Sequence, residues 1–314
     1  MPASKVYFTD FRCRNGVSQL DKLRKLLEKS EFSQIDFDGK FVAIKLHFGE
    51  LGNLSFLRAN YAKVVADFIK ERGGRPFITD CNTLYVGSRK NALEHMDTAY
   101  LNGYSPFSTG CHVIIADGLK GSDDIEVPVA GGEYCKTARI GRAVMDADIV
   151  ISLAHFKGHE EAGFGGALKQ LSIGCASTAG KVWIHSGGTT TDQSQFWNSL
   201  PAQDVFLAGM ADAASAVVDY FHGSMAFVNV MKNLSVDCDC CAVAEDPCMK
   251  DIGILASLDP VAVDQACIDL IYAATDDPGQ KHFIERVESL HGIHTIECAA
   301  ALGVGSREYE LVEL

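Results

Sequence analysis

The chain reads as an α/β protein: a mostly parallel sheet with helices on both faces, in two closely joined lobes. Three observations predict this. Short apolar runs alternate with stretches of helical period along the first half of the sequence. The links between them are short, as in strand–helix–strand units. The length of 314 residues exceeds what one small core ordinarily absorbs.

"KVYFTD" is the first strand, and "GVSQLDKLRKLLEKS" carries Val17, Leu20, Leu23 and Leu27 at helical spacing. "KFVAIKLHFG" is the second strand. "FLRANYAKVVADFIKERGG" is an amphipathic helix stopped by its glycine pair. "RPFITD", "SRKNALEHMDTAYLNG" and "CHVIIADG" continue as strand, helix and strand. A hairpin insert, "DIEVPVAGGEYCKTARI", precedes the short helix "GRAVMDA" and the strand "DIVISLA". "TTTDQSQFWNSLPAQ" is polar and irregular, hence a loop or boundary. Beyond it come the helix "FLAGMADAASAVVDYF", the strands "MAFVNVM" and "IGILA", and the helix of "SLDPVAVDQACIDLIY". In that last helix Ser257 or Asp259 is the cap and Pro260 sits in the first turn.

The formal charge of -13 argues against nucleic acid or an anionic membrane as partner, since both need a basic face. A local basic pocket for a small anion is still allowed. The N-terminus reads straight into a strand with no signal peptide, and no apolar run approaches the ~20 residues that span a bilayer. The expectation is a cytoplasmic protein, in which eleven cysteines are reduced core residues or ligands rather than disulfides.

Ligands of open parallel sheets bind beyond the carboxyl ends of the strands. Here the strand ends read Asp10, His47, Asp80, Asp117 and His155, more polar chemistry than a hydrophobic pattern requires. Carboxylates after strands also cap turns, and that reading has even weight for Asp10 and Asp117. Period two puts Lys45 and His47 on one face, and a lysine within a central strand needs an anion to meet it. "HFKGHEEAGFGGALKQLSIGC" packs His155, Lys157, His159 and Glu160 against a burst of glycines. A helical "HFKGHEE" would put His155 and His159 on one face as paired metal ligands, although Gly158 and the preceding strand oppose a helix.

The expected roles follow. His47, His155 and His159 are the metal-ligand candidates. Lys45, Asp80 and Lys157 are the catalytic ones, with Asp80 orienting the imidazoles and the lysines meeting a carboxylate or phosphate. Asn82, Gly163, Gly165, Gly166 and Lys169 form the ligand-binding set, because glycines opening a helix offer free N–H groups to an anion. Tight strand-to-helix packing explains the same glycines equally well. "DCDCCAVAEDPC" is the alternative metal centre, through Cys238, Cys240, Cys241 and Cys248. The cofactor is left unassigned, with a divalent metal ion as the candidate. An iron–sulfur cluster is less expected, because the four-cysteine run C-x₂-C-x₂-C-x₃-C-P is absent.

"FVAIKLHFGELGNL", "FITDCNTLYVGSRKNALEH", "ADIVISLAHFKGHEEAGFGGALKQLSIGCAS", "CDCC" and "DIGILASLDPVAVDQA" together resemble an uncharacterised family of iron–sulfur centre proteins, built on domain-of-unknown-function family 362. In that family a ferredoxin-like insert with two cysteine runs follows the segment matching "GKVWIHS". Here only "GGTTTDQSQFWNSLPAQ" follows, without a cysteine. The resemblance implies an N-terminal α/β lobe over 1–188, a loop at 189–204 in place of the insert, and a C-terminal portion over 205–314 that completes the fold. It also implies redox chemistry among relatives, and for this chain either electrons from a separate ferredoxin or a non-redox step. The body is also similar in architecture to lactate racemases, which work through histidines and a nickel cofactor. The function expected is binding of a metal ion or small anionic ligand in the strand-end crevice. A non-catalytic scaffold that lost its clusters is the alternative.

Overall fold

Along the strands, alternate side chains enter two different cores. Val42 and Ile44 pack into one, Ala43 into the other, so the sheet is buried on both faces. The computed structural model describes residues 3–314. Its strands are β1 (Ser4–Asp10), β2 (Phe41–Lys45), β3 (Arg75–Asp80), β4 (His112–Ile115), β5 (Asp124–Pro128), β6 (Thr137–Gly141), β7 (Ile149–His155), β8 (Lys157–His159), β9 (Gly163–Gly165), β10 (Met225–Met231), β11 (Gly253–Ser257) and β12 (Tyr309–Glu313).

Eight of these form one sheet in the order β12-β1-β11-β10-β7-β2-β3-β4. Only β11 runs against the rest, pairing antiparallel with β1 and β10. β10 and β11, from the chain beyond 205, insert between β1 and β7, so both portions of the chain contribute to a single sheet. β5 and β6 form a separate antiparallel pair, as does the tight hairpin β8–β9.

The helices Gln19–Lys29 and Ala59–Lys70 cover one face through Leu23, Leu26, Leu27, Val65 and Ile69. The helices Gln203–Phe221 and Pro260–Ala273 cover the other through Leu207, Met210, Val261 and Ile271. Ser18 opens the first helix with a capping box to Asp21. Asp259, not Ser257, caps the helix Pro260–Ala273, accepting from the N–H groups of Val261 and Ala262. The Ser257 hydroxyl instead donates to the Lys5 carbonyl. No helix among the described residues is long and apolar enough to cross a membrane.

Candidate functional site

The carboxyl ends of β2, β3 and β7 open into a cavity of about 700 Å³. Five cationic side chains line it: Lys45, Arg89, Lys157, Lys169 and Lys181. The lining carboxylates are Asp80, Glu160 and Glu161, and four histidines join them: His47, His155, His159 and His185. One wall is the short 3₁₀ turn Gln193–Asn198, which brings Phe196 and Trp197 to the rim. It is tied down by the Gln193 side chain donating to the Leu84 carbonyl at 2.8 Å. The expected boundary loop is thus part of the cavity wall.

Lys45 ends β2 in the middle of the sheet, opposite Thr79 of β3 and Ser152 of β7. Its side chain is 1% exposed and its ammonium lies 2.9 Å from Asp80, the anion that burial of a lysine demands. Asp80 also faces Arg89 at 3.5 Å and His95 at 3.6 Å, and Arg89 bridges on to Glu50 at 3.1 Å. Burial raises the Asp80 pKa, but Lys45 and His95 together hold it well below the ordinary carboxylate value. Room for Lys45 comes from Gly174, where a Cβ would sit 2.7 Å from the ammonium nitrogen. Gly174 closes a π-helical turn, Gln170–Gly174, that continues the three-residue helix Ala167–Lys169. "ALKQLSIG" is therefore not the regular helix its period predicts. The wider turn aims Gln170 at the sheet, where its amide donates to the carbonyls of Lys45 and Leu153.

"HFKGHEE" is extended rather than helical. His155 ends β7, and β8 folds back on β9 through Glu160, Glu161 and Ala162. Both ring nitrogens of His155 face oxygen acceptors, Nδ1 the Asp239 carboxylate at 2.8 and 3.0 Å and Nε2 the Lys232 carbonyl. Both nitrogens of that ring are thus engaged by the protein's own oxygens. His159 Nδ1 accepts the backbone N–H groups of Glu161 and Ala162 at 3.0 and 3.1 Å, and His47 Nδ1 accepts that of Gly49 at 3.0 Å. A ring that accepts at Nδ1 carries its proton on Nε2, so both histidines offer an N–H donor. Burial, and then Arg89, push the His47 pKa well below the usual imidazole value, keeping it neutral.

Lys157 is buried 3.2 Å from Asp239. Burial alone would lower its pKa, yet Asp239 pushes it up to about 12. Asp239 in turn is raised by burial but held well below its ordinary value by His155 and Lys157. A Cβ on Gly165 would lie 3.5 Å from both Lys157 Cε and Lys169 Cδ, so the two lysines flank this glycine. Among the described residues the Lys169 ammonium has no ion pair or hydrogen bond, and that of Lys181 reaches only the Ala176 carbonyl.

The helix start after the glycines is not an anion seat. The N–H groups of Ala167 and Leu168 donate to Asp264 at 2.7 and 2.9 Å, and Asn229 adds a third bond at 2.7 Å. The protein's own carboxylate occupies the place expected for a ligand, and Gly166 is glycine because a Cβ would lie 2.3 Å from Asp264.

The cysteine loop meets the same cavity. Cys240 and Cys241 line it, while Cys238 is buried behind them. Cys238 and Cys240 share a cluster with His159 and Glu160 in which the donor atoms lie within 4.8 Å of one another. A hydrogen bond with Cys240, then Lys157 and Lys169, hold the Cys238 thiol well below its ordinary pKa against the effect of burial. Cys248 is elsewhere, its thiol donating to the Leu234 carbonyl.

Of the other expected residues, Asn82 is buried outside the cavity, its backbone and side-chain N–H groups held by Asp117 at 2.9 Å each. Asp117 thus serves as an internal anchor, with burial pushing its pKa up to about 6. Gly163 turns the β8–β9 hairpin at φ +77° against the Gly292 backbone. Asp10 pairs with Lys22 and Arg12 beside a separate hollow of about 660 Å³. Arg89, Lys181, Asp239, Asp264 and Trp197 are parts of the site or its supports that the sequence pattern did not mark. The only signal for Asp239 and Asp264 was an acidic residue inside an otherwise apolar or cysteine-rich stretch.

A family model described as Domain of unknown function (DUF362) matches residues 42–269. A thylakoid-associated protein from Synechocystis sp. is 29% identical over 140 residues, which are 43% of this chain and 37% of that protein. The apoprotein of lactate racemase from Thermoanaerobacterium thermosaccharolyticum aligns with a TM-score of 0.47 at 13% identity, over 72% of this chain and 50% of that one. A structural-genomics protein from Thermotoga maritima aligns with a TM-score of 0.44 at 11% identity, over 92% of this chain and 61% of that one. The matched regions thus span between about a third and three fifths of these proteins, and the two structural likenesses are too loose to carry an argument.

Proposed function

We propose that this chain, which belongs to the DUF362 family by a match over most of its length, binds a small organic anion in the strand-end cavity. One observation carries the reading: in a chain of net charge -13, five cationic side chains converge on one cavity. Lys45, Lys157 and Arg89 are neutralised by Asp80, Asp239 and Glu50, and form the rigid floor. Lys169 and Lys181 are left to face a ligand, with the Nε2–H groups of His47 and His159 as directional donors. Around Lys169 and Lys181, which have no carboxylate partner among the described residues, unpaired cations and N–H donors favour a carboxylate or phosphate. The histidines act in this reading as donors, not as the metal ligands first expected.

The apolar wall of Ile173, Phe196 and Trp197 gives the ligand's carbon skeleton a surface to cover. Lys45, Asp80 and Lys157, expected from the sequence as catalytic groups, act in this reading as paired electrostatic supports of the cavity floor. Calorimetric titration with succinate and with inorganic phosphate tests the reading, alongside the neutral ester dimethyl succinate. Saturable binding of either anion and none of the ester supports it. Equal binding of ester and diacid, or no binding of any probe, would sink it.

A further inference from the structure

We infer that Cys238, Cys240 and Glu160 form a metal site for a thiophilic divalent cation of the zinc class, with one coordination position open to the anion cavity. The donor atoms of these residues and of His159 already lie within 4.8 Å of one another. Tetrahedral ligands at zinc–thiolate distance are about 3.8 Å apart, so closing on an ion asks each for a shift of about 1 Å or less. All of the cysteines are free thiols.

The loop is held in place from outside, as a metal site needs. The Glu160 carboxylate accepts the Cys238 backbone N–H at 3.1 Å, which ties the hairpin to the thiols. The Cys240 backbone N–H points at the Cys238 sulfur at 3.4 Å. Asn53 donates to the Cys241 carbonyl at 2.9 Å, and Asp239, between the two thiols, is pinned by His155 and Lys157. Two thiolates and a carboxylate select a zinc-class ion over magnesium or calcium.

His159 does not ligate. Its Nδ1 accepts two backbone N–H groups, so the other ring nitrogen bears the proton and has no lone pair to give an ion. Three protein ligands leave a fourth position, the arrangement of metal sites that take a substrate or water. Cys240 and Glu160 both line the cavity, so this position faces the ligand. Two thiolates and a carboxylate around a dication leave a net charge of about -1 beside the cationic cavity.

The open-position part rests on the anion reading; the metal site itself does not. The test is titration of the reduced, metal-free full chain with cobalt(II), followed by absorption in the near ultraviolet and visible, with no anion present. One equivalent should bind with a thiolate-to-cobalt charge-transfer band and the visible bands of a four-coordinate ion. Cys238→Ser and Cys240→Ser should each weaken binding at least ~100-fold, beyond the ~10–100-fold that loss of an outer partner gives. His159→Gln, a donor retained, should bind within about tenfold of the parent, and Cys248→Ser should be unchanged. Circular dichroism checks that each variant is folded. Absence of a charge-transfer band in the folded parent would overturn the site, as would equal loss in Cys248→Ser. Loss in His159→Gln as deep as in the thiol variants would overturn the ligand set. Succinate added afterwards should shift the visible bands. Succinate that binds by calorimetry without shifting them overturns the open position and leaves the metal site standing.

Discussion

Asp80→Asn and Lys45→Met should be unequal, although they break the same pair. At 2.9 Å and an effective dielectric constant near 20, the gross attraction between Lys45 and Asp80 is about 6 kcal/mol, most of it offsetting desolvation. Removing the carboxylate charge strands Lys45, whose next acceptor is Gln170 Oε1 at 3.5 Å. Removing the ammonium leaves Asp80 with Arg89 at 3.5 Å and His95 at 3.6 Å. Asp80→Asn should therefore lower the unfolding free energy by about 3–5 kcal/mol, the cost of an uncompensated buried charge, and Lys45→Met by only about 1–2 kcal/mol. The double variant should resemble Lys45→Met, because no charge is then stranded. Urea unfolding at pH 7, followed by circular dichroism and tryptophan fluorescence, measures all four corners of the cycle. If Lys45→Met costs as much as Asp80→Asn, or if the two add, the pair is not the closed unit described.

Further outcomes follow from the same contacts. The Asp80 carboxyl titrates below its unfolded value of about 3.9, so its stabilisation is complete above that pH and fades as pH falls through the depressed folded value; the Asp80→Asn deficit should shrink below about pH 4. Burial pushes His95 down to about 4, so the unfolded chain binds the extra proton between about pH 6.5 and 4, and stability should fall by up to about 3 kcal/mol across that window. His95→Asn should remove that slope in a pH series of urea melts. Gly174→Ala puts a methyl 2.7 Å from the Lys45 ammonium and should cost about 1–3 kcal/mol by the same assay. Asp264→Ala leaves the N–H groups of Ala167 and Leu168 without acceptors and the Asn229 amide with only the Cys267 sulfur, and should raise amide hydrogen exchange through the 167–174 turn well above that of the β7 core.

The sheet was legible because it rests on period and punctuation. The apolar runs "FVAIK" and "MAFVNVM", the Asp259–Pro260 opening of its helix, and the glycine pair after "IKER" each act locally, and local rules survive folding. The reversal of β11, the edge strand β12 and the last two helices, Gln280–Ser289 and His294–Ala301, were not read. Their partners lie far off in sequence: β12 pairs with β1 across the whole chain. The strand-end polar residues pointed to the right edge of the sheet, but not to their partners. Lys45 needed Asp80, and Lys157 needed Asp239 some 80 residues on, a contact no spacing rule supplies. The i, i+4 histidine spacing did not give a shared helical face, because "HFKGHEE" folds as strand and hairpin, and the partners of each ring are backbone groups visible only in the fold.

The most direct test of the central claim is succinate and phosphate titration of the parent and of Lys169→Met, read by calorimetry and by the fluorescence of Trp197 on the cavity rim. One charge-assisted hydrogen bond lost corresponds to ~10–100-fold in affinity. Saturable anion binding with a Trp197 response is expected, weakened by that factor in a folded Lys169→Met protein. Binding unchanged in the variant, or no binding in the parent, would contradict it.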